Sequence, residues 1–129
     1  MKQATTNSAS VYRNLSEEFL ADEGCYILEI SNHPDDPAAS LARARVEVGK
    51  TTAWHYLRDT VERYIILQGS GYVEVGNESA EVAIGDVVII PAGVRQRIKN
   101  TGDDELIFNC ICTPRFRPEN YQTLTDTPS

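Results

Sequence analysis

The 129-residue sequence has few cysteines and no long apolar segment. Its three cysteines, Cys25, Cys110 and Cys112, are odd in number and widely spaced, which argues against a disulfide framework and indicates a reducing compartment. No window approaches the run of about 18 apolar residues that would span a bilayer. The polar N-terminal segment also lacks the apolar core of a secretory signal. These absences predict a cytoplasmic protein and exclude a membrane protein.

Basic residues are also scarce. The chain has 12 Lys and Arg residues against 19 Asp and Glu residues, for a formal net charge of -7. Nucleic acids are bound by clustered cationic side chains, so this balance excludes a nucleic-acid partner. Of the two histidines, His33 lies in the loop segment SNHPDDP, which has no metal-loop spacing. His55 is therefore the imidazole to consider for a functional site.

Helical periodicity is nearly absent, and most of the chain after residue 24 alternates with the period of β-strands. In LARARVEV (41–48), alanine and valine alternate with charged residues, as expected for a strand with one buried face. About eight or nine short strands separated by turns predict an all-β sandwich or barrel. NLSEEFLADE (14–23) admits only one or two helical turns. We predict one domain over residues 11–118, with flexible tails at 1–10 and 119–129.

A few polar residues occupy positions that the alternation turns inward. His55 precedes a short turn, and Glu62 follows that turn on the next predicted strand, with Tyr64 on the same face. If the two strands pair antiparallel, the Cβ atoms of His55 and Glu62 lie within about 5 Å of each other. Gln96 faces inward on a later strand. The residue pattern therefore predicts a buried polar site around His55 and Glu62.

Two motifs carry a family resemblance. The first has glycine, histidine, leucine, glutamate and glycine at Gly49, His55, Leu57, Glu62 and Gly69 and resembles the first cupin motif. The second resembles the other cupin motif and comprises Gly85, Pro91, Gly93, Gln96 and Asn100. The resemblance covers residues 49–100 and implies a double-stranded β-helix, or jelly-roll, barrel. It also implies a homodimer and a divalent metal held by three histidines and one glutamate.

The resemblance assigns site residues one by one. His55 matches the first histidine ligand and Glu62 matches the glutamate ligand. Leu57 stands where cupins have the second histidine and has no donor atom, whereas Gln96 replaces the third histidine and has only an amide oxygen to offer. The implied metal ligands are therefore His55, Glu62 and Gln96, in an open site that does not distinguish Zn, Mn, Fe and Ni.

The leading functional hypothesis is a small metal-dependent enzyme, of the isomerase (including sugar isomerase-like), lyase or dioxygenase kind found among cupins. His55 and Glu62 are its candidate catalytic residues, and Leu57, Tyr64 and Tyr72 are expected to line its pocket. Two alternatives remain open: a metal-free barrel that binds a metabolite or sugar without catalysis, and a metal-free isomerase that uses His55 and Glu62 as acid and base. A small-molecule ligand and a second copy of the chain are the expected partners, and no nucleotide cofactor is expected.

Overall fold

The computed structural model describes residues 9–13 and 16–124. The strands are β1 (Phe19–Leu20), β2 (Tyr26–Ser31), β3 (Ser40–Val46), β4 (His55–Leu57), β5 (Val61–Gln68), β6 (Ser70–Val75), β7 (Glu78–Ala83), β8 (Val87–Ile90), β9 (Gln96–Asn100), β10 (Leu106–Thr113) and β11 (Tyr121–Thr123). A single 3₁₀ turn, Pro118–Asn120, is the helical element of the described residues. The predicted all-β class is confirmed. Within the same described ranges, no helix has the length and apolar character needed to cross a membrane.

The strands form two antiparallel sheets that face each other. The first sheet has the order β1-β2-β3-β10-β5-β8, and the second has the order β11-β4-β9-β6-β7. Consecutive strands often belong to different sheets, as in a jelly roll. The jelly-roll prediction is therefore confirmed, with one correction: the two sheets do not close into a continuous barrel, since strands at their edges remain unpaired across the sandwich.

The apolar core fills one end of the space between the sheets, and a cavity occupies the other. On β10, buried and half-buried side chains alternate, and Leu106 and Phe108 belong to the buried set. They pack with Ile66 and Ile98, which are also almost fully buried, into one cluster between the sheets. Further along β10 the inward residues become Cys110 and Cys112, and the apolar core gives way to the site described below.

The connection between β5 and β6 requires a glycine. Gly69 has φ 86°, a left-handed conformation that disfavours side chains. A Cβ atom added at Gly69 would also lie 2.9 Å from the carbonyl oxygen of Glu105. This residue of the first motif is therefore needed for backbone geometry and takes no part in the site.

The structure differs from the sequence expectations in two segments. NLSEEFLADE admitted at most one or two helical turns, and within its described part Phe19–Leu20 pairs with β2 as a short strand. The domain was expected to end at residue 118, but Tyr121–Thr123 pairs with β4, because the chain returns across the second sheet. Residues 1–8 and 125–129 of the predicted tails lie outside the described residues.

Candidate functional site

A cavity of about 470 Å³ opens between the sheets beyond the apolar core. This volume falls within the range of roughly 300–1,000 Å³ that is typical of small-molecule sites. Both sheets contribute to its wall, together with the segment 21–23 that precedes β2 and the segment that follows β10. The site residues that line the cavity are His55, Leu57, Glu62, Tyr64, Glu23, Tyr121, Cys25, Cys110 and Cys112.

Gln96 links two side chains of the opposite sheet. Its side chain is fully buried, and its Nε2 donates a hydrogen bond of 2.8 Å to Oε1 of Glu62. Its Oε1 accepts a hydrogen bond from the hydroxyl of Tyr64. The contact with Glu62 fixes the orientation of the amide, because Oε1 of Glu62 accepts and therefore faces the amide N–H, which leaves the amide oxygen to accept from Tyr64. Tyr64, Gln96 and Glu62 therefore form one hydrogen-bonded relay across the sandwich.

Glu62 is a carboxyl group in an environment that favours its neutral form. Burial raises the pKa of Glu62, and the hydrogen bond from Gln96 and the nearby His55 lower it only in part. The second oxygen, Oε2, has the weak donor Sγ of Cys112 at 4.0 Å. Glu62 can therefore keep a proton at a higher pH than an ordinary carboxyl group, as a general acid requires.

His55 is held on three sides at the cavity wall. Only 3% of its surface is exposed, and its Nδ1 lies 2.7 Å from the carbonyl oxygen of Ala53. Since a carbonyl can only accept, Nδ1 carries a hydrogen, and Nε2 has the lone pair in the neutral ring. Nε2 lies 3.7 Å from Oε2 of Glu23, and the ring stacks on Tyr121 at 5.5 Å between centroids. His55 is thus oriented to accept a proton at Nε2.

The pairing predicted for His55 was wrong in one respect. His55 and Glu62 were expected to be cross-strand neighbours, but the residue opposite His55 is Gln96, on β9. Glu62 is on β5, in the other sheet, because the corner 58–60 takes the chain from one sheet to the other. His55 and Glu62 therefore approach the site from facing sheets.

The three residues expected to line the pocket divide into two groups. Leu57 and Tyr64 are buried, at 4% and 3% exposure, and both line the cavity. Tyr72, by contrast, is 37% exposed and is not among the cavity-lining residues. On β6, Gly71 and Val73 turn inward, so alternation directs Tyr72 to the outside. The expectation for Tyr72 is therefore corrected.

The donor set does not fit the divalent metal that the cupin resemblance implies. Leu57 has no donor atom, and both amide atoms of Gln96 are already engaged with Tyr64 and Glu62. In the described part of the chain, no group of three or more His, Cys, Asp and Glu side chains is arranged to hold a metal ion. His55 and Glu62 remain as two potential ligands, too few for the four-ligand cupin site.

Three thiols also line the cavity. Cys25, Cys110 and Cys112 are free and buried. Burial raises the pKa of each thiol, and a nearby carboxyl group raises it further, Glu23 at Cys25 and Glu62 at Cys110 and Cys112. The thiolate is the nucleophilic form of cysteine, so the cavity holds these groups in their unreactive form.

Two residues of the site were missed from the sequence. Glu23 belongs to a segment for which at most one or two helical turns were expected, and Tyr121 belongs to a segment that was predicted to be a tail. The backbone N–H of Ala53 donates to the carbonyl oxygen of Glu23, which ties the first segment to the start of β4. No local pattern marks either residue, because each reaches His55 only through long-range pairing of its segment.

A family model described as a cupin domain matches residues 42–112. An uncharacterized protein of Methanocaldococcus jannaschii is 33% identical over 109 residues, which are 82% of this chain and 86% of the relative.

Solved structures share the fold. Streptomyces Pac13, described as a unique nucleoside dehydratase, has a TM-score of 0.74 at 16% identity and covers 95% of this chain and 100% of its own. A predicted oxalate decarboxylase of Thermotoga maritima has a TM-score of 0.70 at 19% identity, with 82% and 99% covered. At these identities the likeness concerns the fold alone. The matched cupin domain spans more than half of the sequence, and the chain belongs to the cupin family.

Proposed function

We propose that this cupin binds a small molecule in its cavity and transfers protons on it without a bound metal, as an isomerase or a lyase. The observation that supports the proposal is the placement of His55 and Glu62. They enter one cavity from facing sheets, one with an available Nε2 lone pair and the other with a carboxyl group whose pKa is raised. A base and an acid on opposite sides of a substrate are the minimum set for proton abstraction and for elimination.

The roles of the two groups follow from their surroundings. His55 takes a proton from the substrate at Nε2, because Nδ1 is committed to the carbonyl of Ala53. The resulting imidazolium is stabilised by the carboxylate of Glu23, 3.7 Å away. Glu62 gives its proton to the leaving or receiving atom of the substrate, and the amide of Gln96 then donates to the carboxylate that forms.

One structural neighbour is a precedent for this class of reaction on the same fold. Pac13 is described as a nucleoside dehydratase. Loss of water from an alcohol requires removal of a proton and protonation of a leaving hydroxyl, which are the two steps assigned to His55 and Glu62. A reaction of this class does not require the metal ligands that Leu57 and Gln96 replace.

The alternative candidate is binding without catalysis. Much of the cavity wall is apolar, with Leu57, Phe108 and Phe116 among its lining residues. An apolar wall with a few polar groups is also what a carrier or sensor of a metabolite needs. The two candidates differ in one measurable respect, since a binder leaves its ligand chemically unchanged.

Solvent exchange tests the proposal directly. The full chain is incubated in D₂O with a panel of hydroxycarbonyl compounds and nucleosides, uridine included, and NMR detects deuterium incorporation or loss of water. We expect turnover that persists in EDTA and falls by about 100-fold or more in His55→Ala and in Glu62→Gln. His33→Ala is the matched control, because His33 stacks on Tyr12 and is not among the cavity-lining residues.

Two results would contradict this proposal in different ways. Turnover that is lost in EDTA and restored by Zn, Mn, Fe or Ni would favour the metal-dependent enzyme implied by the family resemblance. Saturable binding of a panel compound with no exchange and no product, in parent and variants alike, would favour the carrier.

We also propose that the protein acts as a homodimer in the cytoplasm. The edge strand β8 exposes Val87 and Ile89, at 55% and 60%, next to Ile84 at 68%. An apolar edge strand is suited to pairing with a second copy. The free thiols agree with a reducing compartment. Light scattering during gel filtration should show a dimer for the parent chain and a monomer for Ile89→Lys, and a monomeric parent would refute the dimer.

A further inference from the structure

The charged groups of the cavity have nearly one sign. Four carboxyl groups line it, namely Asp22, Glu23, Glu29 and Glu62, and His55 is the single basic side chain among its lining residues in the described part of the chain. No lysine or arginine is among those lining residues. An anionic ligand would therefore be repelled by carboxylates, with no lysine or arginine among the lining residues to bind it, whereas a cationic ligand would be attracted.

The arginines of the neighbouring strands are engaged outside the cavity. Arg45 forms ion pairs with Glu18 and Glu105, and Arg63 donates a hydrogen bond to Thr113. Because these guanidinium groups are held elsewhere, they do not neutralise the carboxyl groups of the cavity. The net charge of -7 acts in the same direction over longer distances and attracts cations.

Aromatic rings complete the wall. Phe19, Phe108, Phe116 and Tyr121 line the same cavity as the four carboxyl groups. The face of an aromatic ring carries partial negative charge and attracts an ammonium group. Carboxylates combined with aromatic faces are a chemical environment suited to an organic cation with an apolar body, and a cavity of about 470 Å³ has room for one.

We propose that this cavity selects a small organic cation over an anion of the same size, with Glu23 as the group that determines the preference. Glu23 lies on the connection between β1 and β2, and its carboxylate lies 3.7 Å from Nε2 of His55 at the cavity wall. The inference rests on the proposed function only because it concerns the same cavity. It adds the charge of the ligand that the cavity prefers. It separates this protein from a cupin that acts on a dicarboxylate such as oxalate.

Three probes of equal size and different charge test the preference. Benzylammonium, benzyl alcohol and benzoate are titrated into the full chain at neutral pH, and ligand-observed NMR gives the dissociation constants. We expect benzylammonium to bind at least about tenfold more tightly than benzoate, with benzyl alcohol between them. Glu23→Gln should weaken benzylammonium binding by about tenfold and leave benzyl alcohol binding unchanged.

Glu81→Gln is the matched control, because it removes the same charge from an exposed position on β7 that is not among the cavity-lining residues. It should leave all three dissociation constants unchanged. Benzoate binding as tightly as benzylammonium would overturn the inference, and so would an equal loss of affinity in Glu81→Gln. Either result leaves the acid–base proposal intact. Cation preference together with unchanged turnover in His55→Ala would instead refute the proposed function and retain the inference.

Discussion

The relay through Gln96 allows a quantitative prediction for Gln96→Leu, which keeps the approximate volume of the side chain and removes both of its polar atoms. The parent amide is fully buried, donates to Glu62 at 2.8 Å and accepts from Tyr64. In the variant, the hydroxyl of Tyr64 and one oxygen of Glu62 lose their partners at the same time.

The expected cost follows from the surroundings of the two groups that are left behind. Tyr64 is 3% exposed, so its hydroxyl finds no substitute in bulk water, and the loss costs about 1–2 kcal/mol. Glu62 faces the cavity and is half-buried, so water partly replaces the lost donor, and about 1 kcal/mol is expected for it. Gln96→Leu should therefore lower the free energy of unfolding by about 2–3 kcal/mol.

A double-mutant cycle with Tyr64→Phe isolates the hydrogen bond. Tyr64→Phe leaves the amide oxygen of Gln96 unpaired and should cost about 1–1.5 kcal/mol by itself. In the double variant neither the Tyr64 hydroxyl nor the Gln96 amide oxygen is left unpaired, and only the Glu62 oxygen still lacks its donor. The cost of the double variant should therefore fall below the sum of the two single costs by about 1 kcal/mol. Urea unfolding followed by fluorescence gives all three values. Costs that add to within about 0.3 kcal/mol, or a loss below about 0.5 kcal/mol for Gln96→Leu, would refute the relay.

Two further predictions concern the carboxyl and metal chemistry of the site. Burial raises the pKa of Glu62 above its unfolded value near 4.5, so the native state binds this proton more tightly and the parent chain loses stability as pH rises above about 4.5. Glu62→Gln should lack this loss and should gain stability relative to the parent as pH increases. If the free energies of unfolding of both proteins, measured in urea, change with pH in parallel, the raised pKa of Glu62 is contradicted. Leu57→His combined with Gln96→His places three histidines beside Glu62. Loss of a residue that only orients a metal ligand already lowers metal affinity by about 10–100-fold, so adding two direct ligands should raise Zn²⁺ affinity by more than about 100-fold. Calorimetry measures the gain, and adding His55→Ala should abolish it.

Periodicity and turn chemistry were sufficient to predict the all-β fold class. Alternation along 41–48 placed Ala44, Val46 and Val48 inward. Ala44 and Val46 are buried on β3, whereas Val48 lies beyond the end of the strand and is exposed. The spacing of the glycines located the turns, and Gly69 has the left-handed φ that its position requires. These features are local, because a strand alternates with period two whatever it pairs with. The two motifs then supplied the family, from which the jelly-roll topology followed.

Local patterns were insufficient where a segment changes sheet or returns from a distance. His55 and Glu62 were correctly identified as inward-facing, yet the sequence suggested that they were neighbours in one sheet, and the structure places them on facing sheets. Tyr72 was assigned to the pocket from its residue type, although the buried Gly71 and Val73 on either side turn it outward.

The residues at the motif positions were all readable from the chain, including Leu57 and Gln96 in the places of two histidines. Their consequences depended on tertiary contacts. Gln96 is engaged by Tyr64 and Glu62 because β9 faces β5 across the sandwich, and Glu23 reaches His55 because the segment before β2 lies against the start of β4. The residue type sets which atoms can donate or accept a hydrogen bond. Which atoms they bond to depends on contacts between residues that are far apart in the chain. The sequence therefore specified a cupin fold and two candidate groups, and the packing of the sheets specified their partners, the charge of the cavity and the poor fit to a metal.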